Sequence, residues 1–304
     1  RARTGRLRAS LLSCGGMQEY ELLRVLNVQP LGGAPAPDTF RGPAMDTEVF
    51  RRTFGGHLAA QALAAAIQTV DVGKHVHSLH SYFVAGGDAD QDTTYTVRRI
   101  RDGRSFSTRS VEAHQGNTLL YTMTASFHHS LDQGPEHAEA LPEVPAAEQL
   151  RANGPIPSGV PGAEGDFREW DIRVVPAHEN DREPTTVSGR SIWFRFRGQL
   201  PDAVSLHATA LTYMSDMTLL FSSLEAHAGY GAQLASLDHA IWFLRPVRVD
   251  GWLLYRQSSP SAGGGRALTQ GRIFDASGSL VALVAQEGLV RQLRDGATQV
   301  PMRG

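Results

Sequence analysis

Residues 57–70 are built almost entirely of alanine, leucine and other uncharged side chains, and Gly55-Gly56 opens the segment. A helix made of these residues is small on nearly every face and has no side to offer to water, so it must be buried, with a sheet able to close tightly around it. Gly73 stops it, and four strand-like stretches follow at residues 75–85, 93–101, 105–115 and 118–128. Asp102-Gly103 joins the second to the third as a two-residue hairpin, and Gly116-Asn117 turns the third into the fourth. One buried helix followed at once by an antiparallel meander predicts a sheet curled around that helix. The segment before it, residues 38–54, has an interrupted strand pattern.

The same plan recurs in the second half. Strand signals at residues 170–175 and 191–198 precede a helix at about 207–227. Further strands follow at 235–244 and 252–258, and then a hairpin pairs 266–274 with 280–291. When His80 is aligned with His239, 159 residues on, the same offset carries His57 to Asp216 and His77 to Ser236. Two copies imply duplication of a domain and not a solenoid. The fold class expected is α+β, a double hot-dog: two tandem repeats, each a long central helix wrapped by an antiparallel β-sheet. The division expected is an upstream extension at 1–16, an N-terminal repeat at 17–130 and a linker at 131–165. A C-terminal repeat at 166–292 and a tail at 293–304 complete it. The linker is rich in Pro, Gly, Glu and Ala, with room for a short helix near 146–151.

Composition removes several classes of function. Among 304 residues the formal net charge is −2, without the basic footprint of a nucleic-acid binder. No apolar run approaches the roughly 18 residues that cross a bilayer. Cys14 is the sole cysteine, which leaves no disulfide framework, cysteine-based zinc site or cysteine nucleophile in the body of the chain and fits a reducing cytoplasm. Lys74, the sole lysine, sits in a polar turn and is a poor Schiff-base candidate. No Gly-x-Ser-x-Gly elbow occurs, which counts against a serine-nucleophile hydrolase. The ending Pro301-Met302-Arg303-Gly304 is not a Ser-Lys-Leu signal, so a cytoplasmic location is expected.

The chemistry concentrates in residues 212–243. Asp216 lies on the second long helix among Leu211, Met214, Met217, Leu219, Leu220 and Phe221, where a carboxylate is costly unless something uses it. On the strand that follows, period-two alternation predicts Ser236 and Asp238 on one face and Leu237 and His239 on the other. An acid on a helix is thus expected to face a hydroxyl on a strand. Asp238 and His239, on opposite faces, cannot jointly activate one water. His75 and His77 share a face but have no third ligand of suitable spacing, so no metal is expected.

Seven blocks in order carry a resemblance: Phe54-Gly55-Gly56-His57, residues 76–83 (VHSLHSYF), residues 101–107 (RDGRSFS), Thr124-Ala125-Ser126-Phe127, residues 236–243 (SLDHAIWF), residues 261–266 (SAGGGR) and Ala285-Gln286-Glu287-Gly288. Together, over residues 21–291, they resemble the type II acyl-CoA thioesterase family. The resemblance implies hydrolysis of fatty acyl-CoA to free acid and coenzyme A by a water held among Asp216, Ser236 and Gln286, with no cofactor. It also implies an acyl-CoA substrate as the partner and a homodimer or homotetramer. Gly55, Gly56, His57, His80, Gly264 and Arg266 are candidate substrate contacts. Gly55-Gly56 has two open readings: backbone N–H groups that polarise a thioester oxygen, or glycines that let helix and sheet approach. Two other functions fit the fold: an enoyl-CoA hydratase or dehydratase, which would need Asp and His on one catalytic segment, and a non-catalytic acyl-CoA-binding protein.

Overall fold

A computed structural model describes residues 20–32, 38–45, 47, 49–129, 133–151, 167–180, 188–294 and 299. The expected extension at 1–16 lies outside these residues, as do parts of the expected linker and tail. In chain order the first half holds α1 (Glu21–Leu26), β1 (Gln29–Pro30), β2 (Asp38–Gly42), α2 (Gly55–Ile67), β3 (Lys74–Phe83), β4 (Thr93–Asp102), β5 (Phe106–Gln115) and β6 (Thr118–His129). The second holds β7 (Trp170–Val174), β8 (Ser188–Phe196), α3 (Val204–Thr218), β9 (Ala232–Ser236), β10 (Asp238–Phe243), β11 (Leu253–Gly263), β12 (Arg266–Asp275) and β13 (Leu280–Gln292). A 3₁₀ turn at Ala147–Gln149 stands where a short helix was expected, with Ala147 buried.

One sheet runs through the molecule in the order β1-β2-β4-β5-β6-β3-β10-β13-β12-β11-β8-β7, with β9 also paired to β13. Read outward from the β3–β10 junction, the two halves repeat each other strand for strand. This is the double hot-dog: α2 and α3 lie side by side in the middle and the sheet wraps both. Small side chains let it close. Ala59, Ala60, Ala62, Leu63, Ala65 and Ala66 of α2 are fully buried, and nearly all of α3 from His207 to Thr218 is buried as well. Aromatic rings fill the space between helices and sheet, with Phe54 edge-on to both Tyr213 and Phe167 at 5.2 and 5.6 Å.

Three local expectations are corrected. First, α3 ends at Thr218 and gives way to a 3₁₀ turn, Leu220–Leu224, instead of running to 227. There the Ser222 and Ser223 hydroxyls donate to the carbonyls of Leu219 and Leu220, which competes with continued α-helix.

Second, the strand expected at 235–244 is two strands broken at Leu237. Ser236 pairs with Gly288 while Ala240 pairs with Ala285, so one extra residue is accommodated between them. That break changes the faces: Ser236 reaches Asp216 on α3, and so His239, not Asp238, shares its side by bonding Ser215. Asp238 instead accepts the backbone N–H of Glu287 at 2.6 Å.

Third, the single offset of 159 residues does not survive. His80 pairs with Ala240 and is exposed, whereas His239 is fully buried. His57 is the third residue of α2, while Asp216 lies in the last turn of α3. The segment between helix and central strand is longer in the second half, because it holds the 3₁₀ turn and β9.

Candidate active site

Asp216 arrives from α3, Ser236 from the end of β9 and Gln286 from the inward face of β13. The Gln286 amide donates to Oδ1 of Asp216 at 2.7 Å and to the Ser236 hydroxyl at 2.6 Å. The Ser236 hydroxyl in turn donates to the same Oδ1 at 3.3 Å. Gln286 is fully buried and Asp216 is only 8% exposed. Close packing of β13 on the turn after α3 depends on Gly288, whose absent Cβ would meet Leu220.

Asp216 and Ser236 stand at the wall of a cavity of about 320 Å³, and Gln286 lies buried behind them. Its walls are mostly apolar: Phe50, Phe54, Leu58, Phe83, Met217 and Leu234 contribute, while Asp216 and Ser236 form the polar corner. Arg52, exposed at the surface, is the one cation in that lining among the described residues. Oδ2 of Asp216 lies against Gly55, since a Cβ built there would come within 2.6 Å of it. The carboxylate therefore has one oxygen tied down by Gln286 and Ser236 and the other turned toward the start of α2. Tyr255 braces the helix from behind, its hydroxyl donating to the Ser215 carbonyl at 3.0 Å. Burial, and secondly the Asp216 charge, hold that phenol well above its ordinary pKa.

The other candidate contacts fall in different places. Gly55 lines the cavity. Gly56 backs onto the other helix, where a Cβ would lie 2.3 Å from the Tyr213 carbonyl oxygen. The second open reading thus has a structural basis at both glycines, because each admits α3. His57 is buried away from the cavity lining, its Nε2 bonding the Pro43 carbonyl at 3.0 Å. Burial lowers its pKa to about 4. His80 lies outside, 5.1 Å edge-on to Trp242. Gly264 sits in the β11–β12 turn with φ of +59°, a conformation that suits glycine. Arg266 pairs with Glu287 at 2.9 Å, on the sheet face opposite to that of Gln286. Neither Gly264 nor Arg266 lines the cavity. Arg52, Phe50 and Phe167 went unremarked in the sequence because an isolated arginine or aromatic there reads equally well as surface or core.

Among the described residues no group of three or more His, Cys, Asp or Glu side chains is placed to hold a metal ion. Among the same residues no helix is long and apolar enough to cross a membrane. Asp238 and His239, the pair a hydratase would need together, point to opposite sides of the strand.

Fold and site define the class: a double hot-dog protein with an acid and a hydroxyl at the wall of an apolar cavity and a buried carboxamide bonded to both. Comparison with known proteins narrows it. The family model described as acyl-CoA thioesterase matches residues 163–289, and that of the acyl-CoA thioesterase N-terminal domain matches residues 46–128. The chain is 34% identical over 294 residues to acyl-coenzyme A thioesterase 8 of Mus musculus, covering 91% of each chain. It is 33% identical to acyl-CoA thioesterase 2 of Haemophilus influenzae, over 83% of this chain and 92% of that one. The crystal structure of the acyl-CoA thioesterase II TesB2 of Mycobacterium marinum superposes with a TM-score of 0.78 at 43% identity, covering 91% of this chain and 99% of that one. The chain belongs to the acyl-CoA thioesterase family.

Proposed function

We propose that this chain hydrolyses fatty acyl-CoA to the free acid and coenzyme A, with Asp216, Ser236 and Gln286 holding the attacking water. The observation that carries this reading is the asymmetry of the Asp216 carboxylate. Oδ1 accepts from Gln286 and Ser236, and Oδ2 is left facing Gly55 at the cavity wall. An anchored carboxylate with one outward oxygen is a suitable general base. It takes a proton from water as the water's oxygen attacks the thioester carbonyl carbon. The carbon–sulfur bond then breaks, and the proton passes to the departing thiolate, so no covalent enzyme intermediate is needed. Negative charge that develops on the carbonyl oxygen is met by the uncovered N–H groups at the start of α2. The apolar walls hold the acyl tail by burying it.

In this reading the enzyme works in the cytoplasm, consistent with a single cysteine in 304 residues. It works as a homodimer or homotetramer, a reading supported by exposed large side chains on and beside the central strands: Tyr82, Val84, Trp242 and Leu244.

The test is free-thiol release from acyl-CoAs of increasing length by the purified protein and by its Asp216→Asn variant. Asn keeps the shape and removes the base. A loss on the order of a hundredfold or more is expected. An inactive wild type, or a variant that matches it, would overturn the reading.

A further inference from the structure

Gln286 can serve the site only one way round. With its NH₂ toward Asp216 and Ser236 it donates to both; turned over, it would set its carbonyl oxygen against a carboxylate. Something must hold it so, because its own Oε1 is buried and has no partner at full hydrogen-bond geometry. The neighbour with a matching deficit is His239. It is fully buried, its Nε2 lies 2.8 Å from the Ser215 hydroxyl, and its Nδ1 likewise lacks a partner at full geometry.

Ala240 pairs with Ala285 across β10 and β13, and the same register carried one residue on sets His239 opposite Gln286. Two buried unsatisfied atoms on such neighbours are each costly, and one hydrogen bond between them removes both costs. Burial chiefly lowers the pKa of His239, and the charges of Asp216 and Asp238, then a contact with Gln286, oppose it. Nε2 is already engaged, so the nitrogen facing Oε1 is Nδ1.

Resting on the water-holding reading above, we propose that His239 is a positioning residue for Gln286. As the neutral Nδ1–H tautomer it donates to Oε1 and fixes the carboxamide with its NH₂ toward Asp216 and Ser236. Ser215 allows that tautomer. Its hydroxyl hydrogen has two acceptors in reach, the Thr212 carbonyl at 3.0 Å and His239 Nε2 at 2.8 Å, and donation to Nε2 leaves the proton on Nδ1. The chain Ser215–His239–Gln286 links the helix that bears the carboxylate to the strand that bears the amide. His239 reaches it because of the irregularity at Leu237, which turns it to the same side as Ser236.

The experiment compares His239→Phe, His239→Asn and His239→Gln with wild type, by kcat and KM on one acyl-CoA and by thermal unfolding. Asn places its NH₂ close to the site of Nδ1, whereas Gln reaches toward the site of Nε2. The expected result is a kcat for His239→Phe lower by tenfold to about a hundredfold with KM little changed, as misplacement of a site group produces. His239→Asn recovers most of that loss and His239→Gln does not. If Phe matches wild type, if Asn is no better than Phe, or if kcat only follows the melting temperature, the proposal is overturned. Asp216→Asn is measured alongside. If it is inactive while His239→Phe is normal, the positioning role alone fails; if both are normal, the water-holding reading fails with it.

Discussion

A Cβ on Gly55 would stand 2.6 Å from Oδ2 of Asp216 and 2.9 Å from the Phe83 ring. The first residue of α2 thus sets how far the α3 carboxylate can reach. Both neighbours are the far ends of side chains, so a larger residue displaces them and not the backbone. Gly55→Ala is therefore expected to fold with little change in stability yet lose activity by tenfold or more, because the displaced atom is the outward oxygen. Gly56→Ala meets the Tyr213 backbone carbonyl at 2.3 Å instead, and is expected to lose on the order of 1–3 kcal/mol of stability by overpacking. Thermal melts beside thiol-release assays separate the two; equal behaviour would contradict the geometry.

Arg52 is exposed beside Gly86 at the cavity. Coenzyme A carries phosphates, and an exposed cation attracts them through an interaction that salt screens. Arg52→Ala is expected to raise KM severalfold with kcat nearly unchanged, by an amount that shrinks as salt is added. Arg266→Ala, which breaks the outer pair with Glu287, is expected to leave KM alone. The opposite ranking would place the nucleotide end of the substrate on the far face.

The cavity limits the tail. A space of about 150 Å³ takes a six-carbon ring, so about 320 Å³ suits an acyl chain on the order of a dozen carbons. Leu234→Phe adds bulk to the wall contributed by β9 and is expected to shift the preferred chain length downward, read as kcat/KM across a length series. An unchanged profile would mean the tail lies elsewhere.

His57 makes the fold sensitive to acid. Its pKa falls from 6.5 to about 4 on burial, so between those values the unfolded chain binds a proton that the folded chain refuses. The neutral, buried state contributes stability that is fully present above about pH 6.5 and is lost as the pH falls toward 4, by about 3 kcal/mol for this one group. His207 and His239, also lowered chiefly by burial, act in the same sense. His57→Gln, which keeps a donor for the Pro43 carbonyl, is expected to flatten the drop in denaturant midpoint between pH 7 and 4.5. An identical slope in the variant would show that His57 stays neutral in neither state or both.

The alanine-rich run from Leu58 to Ala66 and a hairpin between β4 and β5 were readable in the sequence because burial and hairpin geometry restrict residue type locally. The two-residue turn, however, is Arg104-Ser105 and not Asp102-Gly103: Asp102 pairs with Ser107 and the Gly103 N–H donates to the Phe106 carbonyl at 2.8 Å. Strand edges around them agree to within a few residues. The junction at β10 was not readable. Alternation assumes an uninterrupted strand, and the break at Leu237 exchanges the sides of Asp238 and His239 without any local mark such as glycine or proline. Equating His80 with His239 failed for a related reason: one offset presumes equal connections, and the second repeat is longer there. Arg266, a candidate substrate contact by resemblance, pairs with Glu287 on the outer face, a placement that no local pattern announced.

By itself, then, the sequence determined the elements, their order, the duplication and the residue types able to move a proton, since periodicity and the penalty on a buried carboxylate act over a few neighbouring residues. Only the tertiary structure decided which of those residues meet. Asp216, Ser236 and Gln286 are brought to within hydrogen-bond distance by packing between α3, β9 and β13, and His239 is turned toward Gln286 by an irregularity in strand register. Contacts among residues up to seventy positions apart depend on how helix and sheet close on each other, and no local stretch of chain encodes that.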